Sequence, residues 1–305
     1  MPPGWRRWVL ERERRIDMLY SSFYVVLGFA ASAVVLGWVY FRRYQVTRPP
    51  VGVIGLGDVA VMIGAIVSVP YLYLALPLWL VVGIFALAML SILYFTAEPI
   101  LRSRRALWLV VLALVGADVG INLLFGATSI PFLVVNDAVL VLGVVGATNL
   151  WAQGGMKARD ITVLAVVLAL YDLIATSLLP LTSDLLTRLA QIPLAPLVTW
   201  GSGSDQLSIG LGDLLLMTVF PLVMRKAYGR PAGIAAIAIG LGTIAALMVL
   251  LQLGNVYATV PVMSVLGPLM ALQYGYWLRR RGQERTMRQY LQPEPLNKSI
   301  ASERV

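Results

Sequence analysis

Two aspartates in apolar stretches are the residues of this chain best suited to chemistry. Asp172 follows Tyr171, and Asp213 ends the string Gly210-Leu211-Gly212-Asp213, forty-one residues further on. A carboxylate inside a bilayer is costly, so such residues mark functional sites. Two carboxylates that meet can share one proton, which is the basis of acid–base chemistry in aspartic proteases.

The composition indicates an integral membrane protein built from helices. The chain has 305 residues, of which 59% are hydrophobic, and its mean hydropathy is +0.81. Soluble domains are about 45–50% apolar. The apolar runs are continuous rather than alternating, which favours spanning helices over a β-barrel. The predicted fold class is therefore all-α and polytopic.

The chain contains neither cysteine nor histidine. Their absence excludes disulfides, thiolate nucleophiles, haem, and zinc sites built from thiolate or imidazole. It also excludes a His-Glu-x-x-His zinc protease and a rhomboid-type serine protease with a histidine base. The string Gly201-Ser202-Gly203-Ser204 therefore indicates a flexible loop rather than a nucleophile. No metal and no cofactor is expected.

The hydropathy pattern predicts nine membrane spans. A helix rises 1.5 Å per residue, so about 20 apolar residues cross the hydrocarbon core. The run 51–95 is too long for one crossing, and a turn is expected near Pro70. The predicted spans are residues 19–40, 51–69, 72–95, 106–126, 131–151, 160–182, 206–224, 232–253 and 257–278.

These spans divide the chain into three parts. Residues 1–18 form a basic N-terminal segment, residues 19–278 form the transmembrane domain, and residues 279–305 form a polar tail that is expected to fray from Arg279 onward. Within the transmembrane domain, spans one to five (19–151) are expected to act as a scaffold. Spans six to nine (160–278) carry the candidate chemistry.

Charge distribution predicts the orientation. The net charge is +9, and eighteen of the twenty-four lysines and arginines fall on one side of the predicted topology. The positive-inside rule places that side in the cytoplasm, with the N-terminus outside. The arginines before span one oppose this assignment. The basic residues flank apolar spans, which favours contact with lipid headgroups over nucleic acid. We expect a multi-pass protein of a microbial plasma membrane.

Five aspartates fall well inside predicted spans: Asp58, Asp118, Asp137, Asp172 and Asp213. Helical rise puts Asp172 about 15 Å and Asp213 about 10 Å from the outer ends of their spans. Because consecutive spans are antiparallel, these two carboxylates can face each other. Gly210 and Gly212 are expected to let the seventh span approach the sixth closely, as small residues do in membranes.

The glycine string is weak by itself. Ile-Gly-Leu-Gly begins at Ile54, Ile209 and Ile239, and the first two copies are both followed by aspartate. The distinguishing feature is the combination of Asp213 with Asp172 on the preceding span. A proline-containing string, Pro261-Val262-Met263 with Pro268 shortly after, then opens the last span. A proline there leaves backbone groups unpaired at the helix start.

Together these strings resemble the presenilin and signal peptide peptidase family, the GxGD-type intramembrane aspartyl proteases. That family has nine helices, with Tyr-Asp on the sixth, Gly-x-Gly-Asp on the seventh and Pro-Ala-Leu opening the ninth. The resemblance covers spans six to nine, whereas the first five match only in number and hydropathy. One departure is that Pro261-Val262-Met263 stands in place of Pro-Ala-Leu. The orientation is that of signal peptide peptidases.

The resemblance implies a site and an activity. Its catalytic residues would be Asp172 and Asp213, and its site-shaping residues would be Tyr171, Gly210, Leu211, Gly212, Pro261, Val262 and Met263. The activity is hydrolysis of peptide bonds within transmembrane helices of signal-peptide-like or type II substrates. An unwound substrate could add as a strand to an exposed edge, for which the 183–205 connection and the Pro261 region are candidates.

Several alternatives stay open. Intramembrane aspartates also suit a proton- or cation-coupled transporter, for which Asp58, Asp118 and Asp137 would supply further carboxylates. A non-catalytic membrane chaperone with the family fold is a second alternative, and a prepilin-type peptidase is disfavoured by the Tyr-Asp pairing. The Tyr171 hydroxyl either hydrogen-bonds near the two aspartates or is satisfied in the core. The sequence leaves open whether the chain forms a homo-oligomer.

Overall fold

The computed structural model describes residues 3–46, 54–101, 103–177, 181–201, 206–254 and 261–291. These residues are mostly helical. In chain order the elements are α1 (Pro3–Arg43), α2 (Leu56–Ala75), α3 (Leu78–Ala97), α4 (Arg104–Phe125), α5 (Ile130–Gln153), α6 (Ala158–Ser177), α7 (Leu181–Leu189), β1 (Leu197–Trp200), β2 (Leu207–Gly210), α8 (Leu211–Tyr228), α9 (Arg230–Gly254), α10 (Val262–Arg281) and α11 (Met287–Leu291).

Six helices are long and apolar enough to cross a membrane: α2, α3, α4, α5, the Ser21–Arg43 part of α1 and the Arg230–Leu250 part of α9. The composition predicts such a helical membrane protein. The long helices α6, α8 and α10 fall outside this set, and they carry the candidate site. In α8, for example, Asp213, Arg225 and Lys226 lie within eighteen residues. Asp213 lies in the first turn of α8, and the two basic residues lie in its last turn.

Helix α5 is the centre of the helical packing. It contacts α1, α3, α4 and α8, and most of its residues are buried, whereas the buried residue of α2 is Val59. A helix that is apolar on all sides is buried among others or faces lipid. In this fold α5 has the first role and α2 has the second.

The turn between the second and third spans was expected near Pro70, and this prediction is wrong. Pro70 lies inside α2, and the chain turns at Leu76 and Pro77. Leu76 has an extended backbone, as the residue before a proline prefers. The guanidinium of Arg188 on α7 donates hydrogen bonds to the Leu74 and Leu76 carbonyls, which helix geometry leaves free at the end of α2.

The connection before the seventh long helix contains a β-hairpin. Strands β1 and β2 pair antiparallel, with Leu197 opposite Gly210 and Trp200 opposite Leu207. The expectation that residues 206–210 begin a helix is therefore wrong, and α8 starts at Leu211. Glycine is a poor helix former, and pairing with β1 supplies the backbone hydrogen bonds that a helix would otherwise provide. The predicted loop at Ser202–Ser204 lies outside the described residues.

The polar tail was expected to fray from Arg279, and this is wrong for the part that is described. Helix α10 continues to Arg281, and α11 follows. The Ala158 N–H donates to Glu284 Oε2 over 2.6 Å, and Met287 is buried. The first part of the tail thus packs against the start of α6. At the other end of the chain, the predicted basic segment and the first span share one helix, because α1 begins at Pro3.

Candidate functional site

Three helix ends meet around Asp172 and Asp213. Asp172 lies near the end of α6, Asp213 lies in the first turn of α8, and the first turn of α10 lies against Asp172. The two carboxylates are close enough to interact electrostatically. The structure therefore brings together the two aspartates that the sequence singles out, together with the Pro261 string.

Asp172 receives hydrogen bonds both from the start of α10 and from its own helix. The backbone N–H of Met263 donates to its Oδ2 over 3.0 Å, and the Thr176 hydroxyl, one turn later on α6, donates to its Oδ1 over 3.2 Å. The first N–H groups of a helix have no partner within that helix, and the positive end of the helix dipole attracts an anion. Asp172 thus fills the anion position at the start of α10.

Asp213 occupies the corresponding position on its own helix. Gly210 is the N-cap of α8, and its backbone forms a hydrogen bond with the Asp213 carboxylate. The sequence estimate placed Asp213 two turns inside a helix, and this is wrong because the preceding residues form β2. Asp213 is instead held at the junction of a strand and a helix.

The glycines beside Asp213 do not have the packing role that was expected of them. A Cβ atom added to Gly212 would meet nothing within 4 Å, and one added to Gly210 would meet only Asp213 Oδ2, at 3.4 Å. The space next to Gly212 is open, and Gly212 is exposed. Leu211 is half-buried, and its N–H donates to the Pro196 carbonyl over 2.9 Å.

The close approach of helices occurs instead at Gly267, which no motif in the sequence marks. A Cβ atom there would lie 2.6 Å from the Ala165 carbonyl oxygen and 2.7 Å from the Ala169 Cβ. Glycine therefore lets α10 pack directly on the backbone of α6. The spacing of Ala165 and Ala169, one turn apart on a helix, is the sequence signal that was available.

Pro261 is the N-cap of α10, and its carbonyl accepts hydrogen bonds from the N–H and hydroxyl groups of Ser264. Val262 is partly buried against the core, and Met263 is buried. The Pro261 string thus reaches the candidate site through the backbone of Met263. Its side chains provide packing.

For Tyr171, neither of the two predicted alternatives is seen among the described residues. Its hydroxyl is buried and has no hydrogen-bond partner among the described residues, although the residue lies near enough to Asp172 to interact electrostatically. An unsatisfied buried hydroxyl costs free energy. It is therefore a group for which a bound molecule could supply the missing partner.

The remaining intramembrane aspartates have other surroundings. Asp58 is exposed in the first turn of α2, where its Oδ2 accepts a hydrogen bond from the Gly55 N–H. Asp118 and Asp137 are fully buried. Asp118 accepts a hydrogen bond from the Leu194 N–H, just before β1, and Asp137 accepts one from the Thr199 N–H, within β1. Within the described part of the chain, no group of three acidic side chains is placed to hold a metal ion.

Comparisons with known proteins give no family assignment. No protein-family model matches the chain, and no curated protein matches it.

Proposed function

We propose that this chain is an intramembrane aspartyl protease of the presenilin and signal peptide peptidase type, with nine spans and a catalytic pair formed by Asp172 and Asp213. The observation that carries the proposal is the electrostatic interaction between these two carboxylates, one near the end of α6 and the other at the start of α8, with the start of α10 bound to Asp172. The nine spans would be the nine long helices, α1 to α6 and α8 to α10.

The proposed mechanism needs one proton shared by the pair. The ionised aspartate takes a proton from a water molecule, whose oxygen attacks the carbonyl carbon of the scissile peptide. The protonated aspartate donates a hydrogen bond to the carbonyl oxygen and then protonates the departing amine. Either aspartate can take either part. No metal or cofactor enters these steps.

The access of water and substrate is supported by the open side of the site. Gly212 borders open space directly beside Asp213, and the Tyr171 hydroxyl next to Asp172 lacks a partner in the described structure. A substrate helix must unwind before attack, because its amides are hydrogen-bonded internally. The hairpin that leads into Asp213 offers a strand edge on which the unwound segment can be held.

The direct test uses the full chain reconstituted in lipid, with a fluorescent transmembrane reporter as the substrate. Wild-type protein should cleave the reporter, and a hydroxyl-containing transition-state isostere should inhibit it. Asp172→Asn and Asp213→Asn should each remove cleavage while leaving the melting temperature close to that of the wild type. Robust cleavage by either folded variant would overturn the assignment.

Ion-coupled transport is the second candidate, because Asp118 and Asp137 are also buried carboxylates. The same liposomes separate the two functions. Transport predicts proton or sodium flux that depends on these residues, with no cut reporter. Proteolysis predicts cut reporter with no flux.

The orientation is part of the proposal and has its own test. Asp184 on α7 and Lys157 before α6 are exposed and belong to opposite sides of the proposed topology. In this cysteine-free chain, Asp184→Cys should react with an impermeant thiol reagent from outside the cell, and Lys157→Cys should react only after the cell is opened. The reverse labelling would invert the topology.

A further inference from the structure

Three buried polar side chains hold strand β1 from the side of the scaffold helices. Asp118 belongs to α4, and Asn136 and Asp137 belong to α5. They are 0%, 3% and 0% exposed. The proposed mechanism uses none of them. Buried polar groups of this kind are costly unless they are hydrogen-bonded, so their partners indicate their role.

All three side chains bond to the backbone of one short segment. Asn136 Nδ2 donates to the carbonyls of Ala195 and Leu197 over 3.3 and 3.2 Å. Asp137 Oδ1 accepts the Thr199 N–H over 3.2 Å. Backbone groups of alternate strand residues point to the same edge, so Leu197 and Thr199 present theirs to α5 rather than to β2. The outer edge of β1 is thereby closed.

Asp118 holds the residue that leads into this strand. Leu194 is the non-glycine residue with a positive φ in the described chain, at 58°, and its N–H donates to Asp118 Oδ1 over 2.7 Å. A non-glycine residue in this conformation is strained and persists only where its surroundings impose it. The bond to the buried carboxylate and the burial of the Leu194 side chain both hold the residue in place.

The fixed segment determines where Asp213 lies. Leu197 is opposite Gly210 in the hairpin, and the Leu211 N–H donates to the Pro196 carbonyl over 2.9 Å. The first residues of α8 are therefore tied to the segment that Asp118, Asn136 and Asp137 hold. A shift of β1 would shift β2 and the start of α8 with it.

Because α5 closes the edge formed by β1, the remaining edge of the hairpin is the one formed by β2. Among the described residues, no backbone hydrogen bond outside the hairpin involves Ser208. Ser208 is opposite Thr199, whose N–H points toward α5. In an antiparallel pair, two opposite residues either both point toward the partner strand or both point away from it, so the backbone groups of Ser208 face away from β1. This edge leads within five residues to Asp213.

We propose that Asp118, Asn136 and Asp137 are positioning residues that fix the register of the hairpin, so that an unwound transmembrane substrate can add only to the β2 edge, at a set distance from Asp213. This inference rests on the proposed protease function. It assigns to the scaffold helices α4 and α5 control over which peptide bond is cut.

The test compares substitutions that keep the hydrogen bonds to residues 194–199 with substitutions that remove them. An amide oxygen accepts an N–H bond as a carboxylate does, so Asp118→Asn and Asp137→Asn preserve the contacts. Asp118→Leu and Asp137→Leu remove them with a side chain of the same number of heavy atoms and the same branch point. Asn149→Leu is the matched control, because Asn149 is also buried on α5 but donates to the Gly37 and Val145 carbonyls, away from the hairpin.

Two readouts are measured on the full chain in lipid nanodiscs. The first is amide hydrogen exchange of residues 194–200, and the second is the distribution of cut positions along a transmembrane reporter, read by mass spectrometry. Each Leu variant should raise the exchange rate at least tenfold and spread the cuts to neighbouring bonds. The Asn variants should retain the wild-type values, and Asn149→Leu should lower only the melting temperature.

The outcomes separate the inference from the function on which it rests. If amide exchange of residues 194–200 is unchanged in both Leu variants, the side chains do not hold this segment. If exchange is faster but the cut positions are unchanged, the three residues do not position the substrate. A wild-type protein that cuts nothing ends the protease proposal and the substrate role with it. If a Leu variant does not fold, Thr199→Pro removes the N–H donated to Asp137 and leaves the carboxylate in place, with the same expected spread of cuts.

Discussion

The same four residues, Gly-Leu-Gly-Asp, occur at Gly55–Asp58 and at Gly210–Asp213, and both copies begin a helix. Each first glycine is the N-cap with an extended backbone, and each aspartate lies in the first turn. Asp58 accepts the Gly55 N–H over 2.8 Å, and Asp213 is bonded to the Gly210 backbone in the same way. In local structure, the two strings perform one task, the capping of a helix.

Their surroundings differ. Asp58 is exposed at the start of α2, a helix that buries little of its surface. Asp213 stands beside a second carboxylate, Asp172, which is itself held by the start of another helix. The Gly-Leu-Gly-Asp string thus positions one carboxylate at the start of a helix. The proposed chemistry also requires a second carboxylate, which tertiary packing brings close to the first.

The largest effect is expected from Asp213→Asn. The amide oxygen can still accept the Gly210 N–H, so the cap persists, but the pair can no longer exchange a proton with water and substrate. General acid–base catalysis contributes about 10²–10⁴-fold, so initial cleavage rates should fall by at least that factor. The melting temperature serves as the folding control. A folded variant with more than a tenth of the wild-type rate would break the distinction between the two strings.

A smaller effect on the cleavage rate is expected from substitution of the second glycine in the string. Gly212 and Gly57 occupy the same position in their strings, and a Cβ atom at either would meet nothing within 4 Å. A Cβ atom is thus tolerated at both positions, and Gly57→Leu serves as the control for Gly212→Leu. If the space at Gly212 receives substrate, Gly212→Leu should lower kcat/KM about tenfold, or about 1.4 kcal/mol of transition-state stabilisation. Equal rates for the two variants would show that this space is not used.

The candidate pair was predictable because its signal is strong in sequence. A carboxylate in an apolar run is rare, and Asp172 and Asp213 lie on consecutive long helices that pack together. The contact with the Pro261 string followed from the resemblance. The structure added the atom involved, since it is the Met263 N–H, rather than the proline itself, that binds Asp172.

What the sequence did not reveal depends on partners distant in the chain. Residues 207–210 are apolar and looked helical, and they form a strand only because β1 is available to pair with them. Asp118 and Asp137 were recognised as lying inside predicted spans, but their partners are backbone N–H groups, which every non-proline residue carries and which leave no pattern. The contact of Gly267 with α6 likewise requires the packed pair of helices.

Pro261→Ala tests the surroundings of the second string. Pro261 begins α10 two residues before the N–H that binds Asp172, and alanine there allows the helix to extend toward its N-terminus. We expect kcat to fall several-fold and the melting temperature to change little. A normal kcat with a lower melting temperature would show that Pro261 serves packing alone and has no part in the site.

The smallest effect is expected from Asp58→Asn, which repeats at the first string the change made at Asp213. The amide keeps the bond from Gly55 and loses only the attraction between a negative charge and the helix start, which is worth about 0.3–1 kcal/mol. Cleavage should stay near the wild-type rate, and the free energy of unfolding should fall by less than about 1 kcal/mol. Chemical denaturation and the reporter assay, run beside Asp213→Asn, measure both quantities. A folded Asp58→Asn protein that fails to cleave would mean that the proposed chemistry also requires the carboxylate of Asp58, and that the exposed string is not merely a helix cap.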